Sequence, residues 1–187
     1  ADELVLDDWM RPKPQRQIAP EPEAVQAAAD AIWSAKRPLV MTGRGAKGAA
    51  KELVQLLDAS GALYLDTQES RGLVPADHPA FVGAVRGAAM NQADLVLVIG
   101  RKLDYQMGYG SPAVFPGARF IRIADNAGEL LDNRRGDPEM LATPAIALKA
   151  IVEAAGNREP AVDTEWSNGL RAKHEERSGP KDVPQTG

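Results

Sequence analysis

A short apolar stretch that ends in glycines places the strongest constraint on the fold of this chain. Residues 39–42 have the composition of a strand, and Gly43, Gly45 and Gly48 follow in the pattern G-x-G-x-x-G, with a helical pattern directly behind them. Strand, glycine loop and helix open a βαβ unit, in which glycines permit a tight turn and the helix N-terminus offers amides to an anion. Two interpretations stay open at this point: a turn that only shapes the fold, and a turn that contacts a nucleotide.

Strand and helix patterns alternate along the rest of the chain. The run at 94–100, D-L-V-L-V-I-G, is continuously apolar between its first and last residues, as in a strand that is buried on both faces of a parallel sheet. Repeated alternation predicts a three-layer α/β domain with a mostly parallel sheet. The predicted strands are 39–42, 62–66, 81–85, 94–100, 119–124 and 139–143, and the predicted helices are 21–36, 47–60, 88–93, 127–131, 144–155 and 165–177.

Composition excludes several functional classes. The net charge is −4, which argues against a surface that binds nucleic acid or an anionic membrane. The chain has no cysteine, so thiolate catalysis and cysteine-ligated metals are excluded, and a cytoplasmic location is expected. It has two histidines that are far apart in sequence, so no metal site is expected. No apolar run is long enough to span a membrane.

The loop after the apolar run 94–100 is the second candidate for ligand contact. Open parallel sheets bind ligands at the carboxyl ends of strands, next to the point where the strand order reverses. The glycine loop and the segment Gly100-Arg101-Lys102-Leu103-Asp104 are predicted to flank that point. Within the segment we select Gly100, Lys102 and Asp104 as candidate contacts. A solvated basic loop with no ligand is the alternative.

Several segments occur in an order that resembles a known enzyme family. They are R-P-L-V-x-x-G-x-G-A at 37–46, R-G-L-V-P-A-D-H-P-x-F-V-G at 71–83, A-D-L-V-L-V-I-G-x-x-L-D at 93–104, and F-I-R-I at 120–123. Together, and over about residues 22–155, they resemble the central domain of thiamine diphosphate-dependent enzymes of the acetolactate synthase and oxalyl-CoA decarboxylase type. The set as a whole carries the resemblance, because no single segment is specific.

The resemblance implies a three-layer αβα Rossmann-like domain of the DHS-like NAD/FAD-binding kind, with a six-stranded, mostly parallel sheet. Residues 22–156 would form this domain, 1–21 a lead-in, and 157–187 a C-terminal helix and linker. Two thiamine-binding domains of the same polypeptide would be its partners. The whole enzyme would act on carbon–carbon bonds of 2-keto acids or related substrates, as a transferase or lyase, in a homodimer or homotetramer.

The catalytic cofactor would be held outside this segment. Thiamine diphosphate and Mg²⁺ are bound in such enzymes through a G-D-G motif, and the nearest string here is Arg135-Gly136-Asp137-Pro138, which lacks the second glycine. We therefore expect the segment alone to have no catalytic residues, no bound thiamine diphosphate and no catalysis.

The resemblance also implies an FAD or ADP site at the glycine loop. Gly43, Arg44 and Gly45 would contact the nucleotide phosphates, since a guanidinium at the loop tip suits a phosphate. The family usually carries a ribose-binding acid after the fifth strand, but Ala124 occupies that position and Asp125 follows it. A bulge or an earlier end of the strand would return Asp125 to the site. The candidate cofactor-binding residues are Gly43, Arg44, Gly45, Thr67, Gly100, Lys102, Asp104 and Asp125.

A second acid of the family is replaced here by Thr143-Pro144, so the site has one acid fewer to bind the adenosine of the nucleotide.

Asp66 supports a different hypothesis, because it lies 18 residues after Gly48, close to the spacing at which dehydrogenases bind the ribose of NAD. The alternative functions are therefore a free-standing nucleotide-binding domain and the cofactor domain of an NAD-dependent dehydrogenase.

Overall fold

A computed structural model describes residues 16–179 and contains one sheet of five parallel strands. The lead-in before residue 16 and the tail after residue 179 lie outside the described residues. The strand order is β2-β1-β3-β4-β5. The elements are α1 (Pro22–Ser34), β1 (Pro38–Thr42), α2 (Ala50–Ser60), β2 (Leu63–Leu65), α3 (Arg86–Gln92), β3 (Leu95–Ile99), β4 (Arg119–Ala124), α4 (Ala127–Leu130), β5 (Glu139–Leu141), α5 (Pro144–Ala155) and α6 (Thr164–Ser178).

The helices cover both faces of the sheet, which confirms the predicted three-layer architecture. On one face, α1, α2 and α5 pack on side chains such as Val40, Leu97 and Ile121. On the other face, α3, α6 and the connection between β3 and β4 pack on the alternate side chains, such as Met41 and Val98. Every residue of β1 and β3 is buried, because both strands are covered on both faces. The apolar run at 94–100 is thus the centre of the domain.

The prediction of six strands is wrong for the described residues. The segment predicted as a strand at 81–85 contributes only one isolated parallel bridge, between Phe81 and Tyr64. The chain enters a 3₁₀ turn at Gly83–Val85 and continues into α3. A turn of this kind uses i→i+3 hydrogen bonds and cannot extend a ladder with β2.

The helix α6 packs on the domain beyond the predicted domain end at residue 156. The Asp163 side chain caps its first turn by accepting from the Glu165 and Trp166 amides, and Leu170 is buried against the sheet. The Asp163 amide also donates to the Lys36 carbonyl at 2.8 Å. The domain limits of 22–156 stay a prediction. Within the described range, no helix is both long and apolar enough to cross a membrane.

Two glycine loops touch at the point where the strand order reverses. The Gly43 amide donates to the Ile99 carbonyl at 2.9 Å, and the Gly45 amide donates to the Gly100 carbonyl at 3.1 Å. Gly100 has a φ of +57°, and a Cβ on it would lie 2.5 Å from the backbone of Gly45. The glycines after β1 and β3 are therefore required by a close contact between the two loops.

We predict that Gly100→Ala lowers the free energy of unfolding by about 2–4 kcal/mol, because the new Cβ meets backbone and the positive φ disfavours any side chain. Urea unfolding followed by circular dichroism measures the change. Gly117→Ala is the matched control, since no atom lies within 4 Å of the added Cβ. The control is expected to change stability by less than about 1 kcal/mol. Equal effects of the two substitutions would contradict the role of the loop contact.

Candidate functional site

The first cavity lies where two helices begin, and we name it the helix-end cavity. It has a volume of about 230 Å³ and lies on the α2 and α5 face of the sheet. The glycine loop and Asp125 both contribute to its wall. Its lining residues are Arg16, Gln17, Gly45, Gly48, Ala49, Asp125, Thr143, Pro144, Ala145 and Ile146.

Both helices present uncapped N-termini to the helix-end cavity. The N-cap residue of α2 is Ala49, which has no side-chain acceptor, and α5 begins with Thr143 at its N-cap and makes no side-chain cap hydrogen bond. The Thr143 hydroxyl instead accepts from the Ile18 amide at 2.8 Å. Two uncapped helix N-termini give the cavity a positive electrostatic potential, which favours an anion such as a diphosphate.

Asp125 reaches this cavity because β4 ends at Ala124. The strand does not continue into Asp125, so the side-chain alternation that would have turned it away no longer applies. Asp125 is half-buried, and a carboxylate at this position can accept hydrogen bonds from the hydroxyls of a ribose. The structure thus brings together Gly45 and Asp125, two of the residues selected from the sequence.

Glu129 is a second acid near this site, and the sequence analysis did not select it. Burial raises the pKa of Glu129, and the Asp125 carboxylate raises it further. Its Oε2 atom is buried and has no hydrogen-bond partner among the described residues. No motif in the sequence singles out Glu129, because it approaches Asp125 only through the turn that α4 makes after β4.

The glycine loop itself has few amides left for a ligand. The amides of Gly43, Gly45, Ala46 and Lys47 all donate to backbone carbonyls of this loop or of the adjoining residues 99–100. Gly43 is also held against its neighbour, since a Cβ there would lie 2.6 Å from the Arg101 Cβ. The loop therefore shapes the wall of the cavity, and α2 supplies the free helix end.

Arg44 and Lys102 lie on the surface near the two loops. The Arg44 guanidinium forms an ion pair with Glu69, and its side chain is 74% exposed. Lys102 is exposed and lies close enough to Glu129 to lower the pKa of that acid. Neither residue lines the helix-end cavity.

The side chains of Thr67 and Asp104 both make hydrogen bonds that hold the loops in which they lie. The Thr67 hydroxyl is buried and donates to the Thr42 carbonyl at 2.9 Å, so that it fastens the loop after β2 to β1. The Asp104 carboxylate accepts from the Gln106 amide at 3.0 Å and lies 3.3 Å from the Arg101 guanidinium. Thr67 lines a second cavity at this edge of the sheet. Asp104 does not line that cavity, but it contacts Arg101 and Gln106, which do.

A second cavity lies beside the carboxyl ends of β2 and β3, and we name it the arginine cavity. It has a volume of about 420 Å³ and shares no lining residue with the helix-end cavity. Asp66 lines the arginine cavity, whereas Gly45 lines the helix-end cavity. The glycine loop and Asp66 therefore do not line one common cavity, as the hypothesis of an NAD site would require. Its lining residues are Asp66, Thr67, Gln68, Arg71, Phe81, Gly83, Arg86, Arg101, Gln106 and Met107.

A buried arginine holds the loops at this edge of the sheet. Arg122, in the middle of β4, is 1% exposed and forms an ion pair with Asp132. The same guanidinium donates to the Arg101 carbonyl at 3.0 Å and to the Arg134 carbonyl at 2.7 Å. Burial raises the pKa of Asp132, but hydrogen bonds from Arg122 and from the Leu103 amide outweigh it and hold the pKa below its usual value.

Sequence reasoning missed Arg122, although a signal was present. A charged residue inside the apolar string F-I-R-I is unusual, since a buried charge needs a partner. The partner, Asp132, lies ten residues further along and could not be identified without the fold. Metal ligation has no comparable support: in the part of the chain that the structure describes, no group of three or more His, Cys, Asp or Glu side chains could hold an ion.

Comparison with known proteins identifies the family. Residues 25–151 match the family described as the central domain of thiamine pyrophosphate enzymes. The chain belongs to this family. The resemblance noted in the sequence is thereby confirmed, and the fold agrees: benzoylformate decarboxylase from Polynucleobacter necessarius superposes with a TM-score of 0.62 at 18% identity, over 87% of this chain and 33% of that one.

Curated relatives include two enzymes that are named for coenzyme A thioesters. 2-Hydroxyacyl-CoA lyase 1 from Mus musculus is 31% identical over 82% of this chain, and the match covers 27% of that enzyme. Oxalyl-CoA decarboxylase from Escherichia coli K12 is 26% identical over 65% of this chain and 22% of that enzyme. The chain thus spans about a quarter of the length of these relatives and corresponds to their thiamine-enzyme central domain.

We predict that Arg122→Met lowers the free energy of unfolding by about 3–5 kcal/mol, because it leaves the Asp132 carboxylate buried without its partner. Guanidinium or urea unfolding of the chain measures this loss. Arg135→Gln removes an exposed guanidinium that pairs with Glu139 and is the matched control, with an expected loss below about 1 kcal/mol. A loss below about 1 kcal/mol for Arg122→Met as well would show that Arg122 does not hold the loops together.

Proposed function

We propose that this chain is the central domain of a larger thiamine diphosphate-dependent lyase that acts on the carbon–carbon bond next to the carbonyl of an acyl-CoA thioester. The observation that carries the proposal is the 31% identity to 2-hydroxyacyl-CoA lyase 1 over most of this chain. The name oxalyl-CoA decarboxylase points to the same substrate class. A lyase acting on a thioester is therefore favoured over the acetolactate synthase type of transferase.

The chemistry would belong to the other two domains of that enzyme. Thiamine diphosphate, when bound there with Mg²⁺, supplies stabilisation of a carbanion next to the carbonyl. The residues of this chain do not fit that cofactor, since the sequence lacks G-D-G and the described residues form no cluster of acids for Mg²⁺. This domain would hold the two catalytic domains in place, in a cytoplasmic homodimer or homotetramer.

We further propose that the helix-end cavity binds ADP. Two uncapped helix N-termini would receive the diphosphate, and Asp125 would accept hydrogen bonds from the ribose. The volume of about 230 Å³ lies below the usual range of about 300–1,000 Å³ for a ligand pocket, which favours ADP, with part of the molecule outside the cavity, over the larger FAD. Membership of the thiamine enzyme family also counts against the hypothesis of an NAD-dependent dehydrogenase.

For the whole enzyme, we predict cleavage of 2-hydroxyacyl-CoA or oxalyl-CoA when thiamine diphosphate and Mg²⁺ are supplied. The test uses the complete protein encoded by the gene and follows product release by chromatography. Pyruvate is the comparison substrate, because it presents a 2-keto acid without a thioester. Faster turnover of pyruvate, with formation of acetolactate, would contradict the proposed lyase activity and would indicate a transferase of the acetolactate synthase type.

For the nucleotide site, we predict that Asp125→Asn weakens ADP binding by about tenfold, through the loss of charge-assisted hydrogen bonds to the ribose. Isothermal titration of the 187-residue chain measures the affinity. Asp77→Asn is the control, since Asp77 is exposed and lies outside the helix-end cavity. Equal ADP affinity in both variants would refute the role of Asp125, and tighter binding of NAD than of ADP would refute the proposed ligand.

A further inference from the structure

A third cavity lies at the amino ends of β4 and β5, and we name it the amino-end cavity. It has a volume of about 440 Å³ and shares no lining residue with the helix-end cavity or the arginine cavity. Its lining residues are Arg119, Phe120, Arg134, Arg135, Gly136 and Asp137. Three arginines and one acid thus form a basic wall in a chain whose net charge is −4.

Arg134 is held at both ends in this wall. Its carbonyl accepts from the Arg122 guanidinium at 2.7 Å, and a Cβ on Gly110 would lie 2.9 Å from the Arg134 Cβ. Its own guanidinium lies 5.2 Å from the centre of the Phe120 ring and donates to the Ala118 carbonyl at 3.3 Å. The face of an aromatic ring attracts a cation, so this contact holds the guanidinium in place. A guanidinium that is already fixed loses less side-chain entropy when it binds an anion.

Two of the three arginines are not neutralised by an acid. Within residues 16–179, neither the Arg134 guanidinium nor that of Arg119 forms an ion pair. Arg135 differs, because its Nε atom donates to both carboxylate oxygens of Glu139, at 2.7 and 2.9 Å. Hydrogen bonds from Arg135 hold the pKa of Glu139 below its usual value, so this pair is a neutral part of the wall. Two positive charges therefore face one acid, Asp137.

We propose that the amino-end cavity binds a small dicarboxylate, with one carboxylate on Arg134 and the other on Arg119. Guanidinium groups bind carboxylates through paired hydrogen bonds, and two arginines provide for two such groups. Asp137 in the same wall disfavours a ligand that concentrates two negative charges at one place, as a phosphate does. Phe120 is only 3% exposed, so the wall offers little apolar surface and favours a polar ligand.

The site does not depend on the proposed function. It lies at the amino ends of two strands, whereas Gly45, Asp125 and Thr143, which line the proposed ADP site, all follow the carboxyl ends of strands. Either proposal can therefore fail alone. A volume of about 440 Å³ lies within the usual range for small-molecule pockets, so a dicarboxylate of four or five carbons would fit.

The test is a titration of the ¹⁵N-labelled 187-residue chain with succinate at constant ionic strength, followed by NMR. We expect the amide signals of residues 119–120 and 134–137 to shift together and to give one dissociation constant. The amides of residues 66–71 and 101–107 report separately on the arginine cavity. Shifts confined to those residues, or no shifts at all, would overturn the proposal.

Arg119→Gln is expected to weaken succinate binding about tenfold, because one charge-assisted contact is lost, and to leave the weaker binding of acetate unchanged. Arg37→Gln is the control with the same change of charge, since Arg37 is exposed and lines none of the three cavities. Succinate affinity is expected to be unchanged in the control. Equal succinate affinity in the two variants would refute the role of Arg119.

Asp137→Asn is expected to act in the opposite direction and to tighten succinate binding about threefold, since a like charge is removed from the wall. Glu23→Gln removes the same charge from an exposed position on α1 and is expected to have no effect. Weaker binding in Asp137→Asn than in Glu23→Gln would contradict an anion site at this place.

Arg134→Gln is expected to abolish the binding of both succinate and acetate. If this variant does not fold, the comparison of Arg119→Gln with Arg37→Gln decides the question, since both residues are exposed. Inorganic phosphate is titrated in parallel. Tighter binding of phosphate than of succinate at residues 119–120 and 134–137 would overturn the assignment to dicarboxylates.

Discussion

The contact between two backbone loops, after β1 and after β3, decides how the carboxyl edge of the sheet is divided. Gly45 and Gly100 meet without side chains, joined by a hydrogen bond of 3.1 Å. In an open parallel sheet the crevice at this position usually receives the ligand. Here the two loops touch at this position, and two cavities that share no lining residue lie near them. Gly43 and Gly45, which suggest a nucleotide loop in the sequence, are needed first for this contact.

Arg122 supports the same edge from the β4 side. Its guanidinium joins the loop after β3 to the connection between α4 and β5, in which Asp132 is the counter-charge. Two irregular segments thus depend on one side chain that is buried in the sheet. An interaction of this kind is costly to break, because removal of one partner leaves the other charged and desolvated. The loop after β3, which contributes Arg101 to the arginine cavity, therefore has a fixed base.

The two cavities differ in how they provide positive potential. The helix-end cavity relies on the N-termini of α2 and α5 and also contains Asp125 in its wall, a combination suited to a molecule with both phosphate and hydroxyl groups. The arginine cavity relies on guanidinium groups, which bind oxyanions with directed pairs of hydrogen bonds. Both lie in a domain of the thiamine pyrophosphate enzyme family whose catalytic chemistry would be performed elsewhere in the polypeptide.

The sequence by itself determined the layers of the fold and the family. The apolar run at 94–100 could only be a strand covered on both faces, and helix–strand alternation then required a parallel sheet. Only the tertiary structure decided that Phe81 makes a single bridge, that β4 ends before Asp125, and that Glu129 lies beside it. It also decided that Arg86, at the start of α3, and Arg101, in the loop after β3, line one cavity. Periodicity reports which face of an element is buried, but distances between loops depend on how all strands align, and that is a property of the assembled sheet.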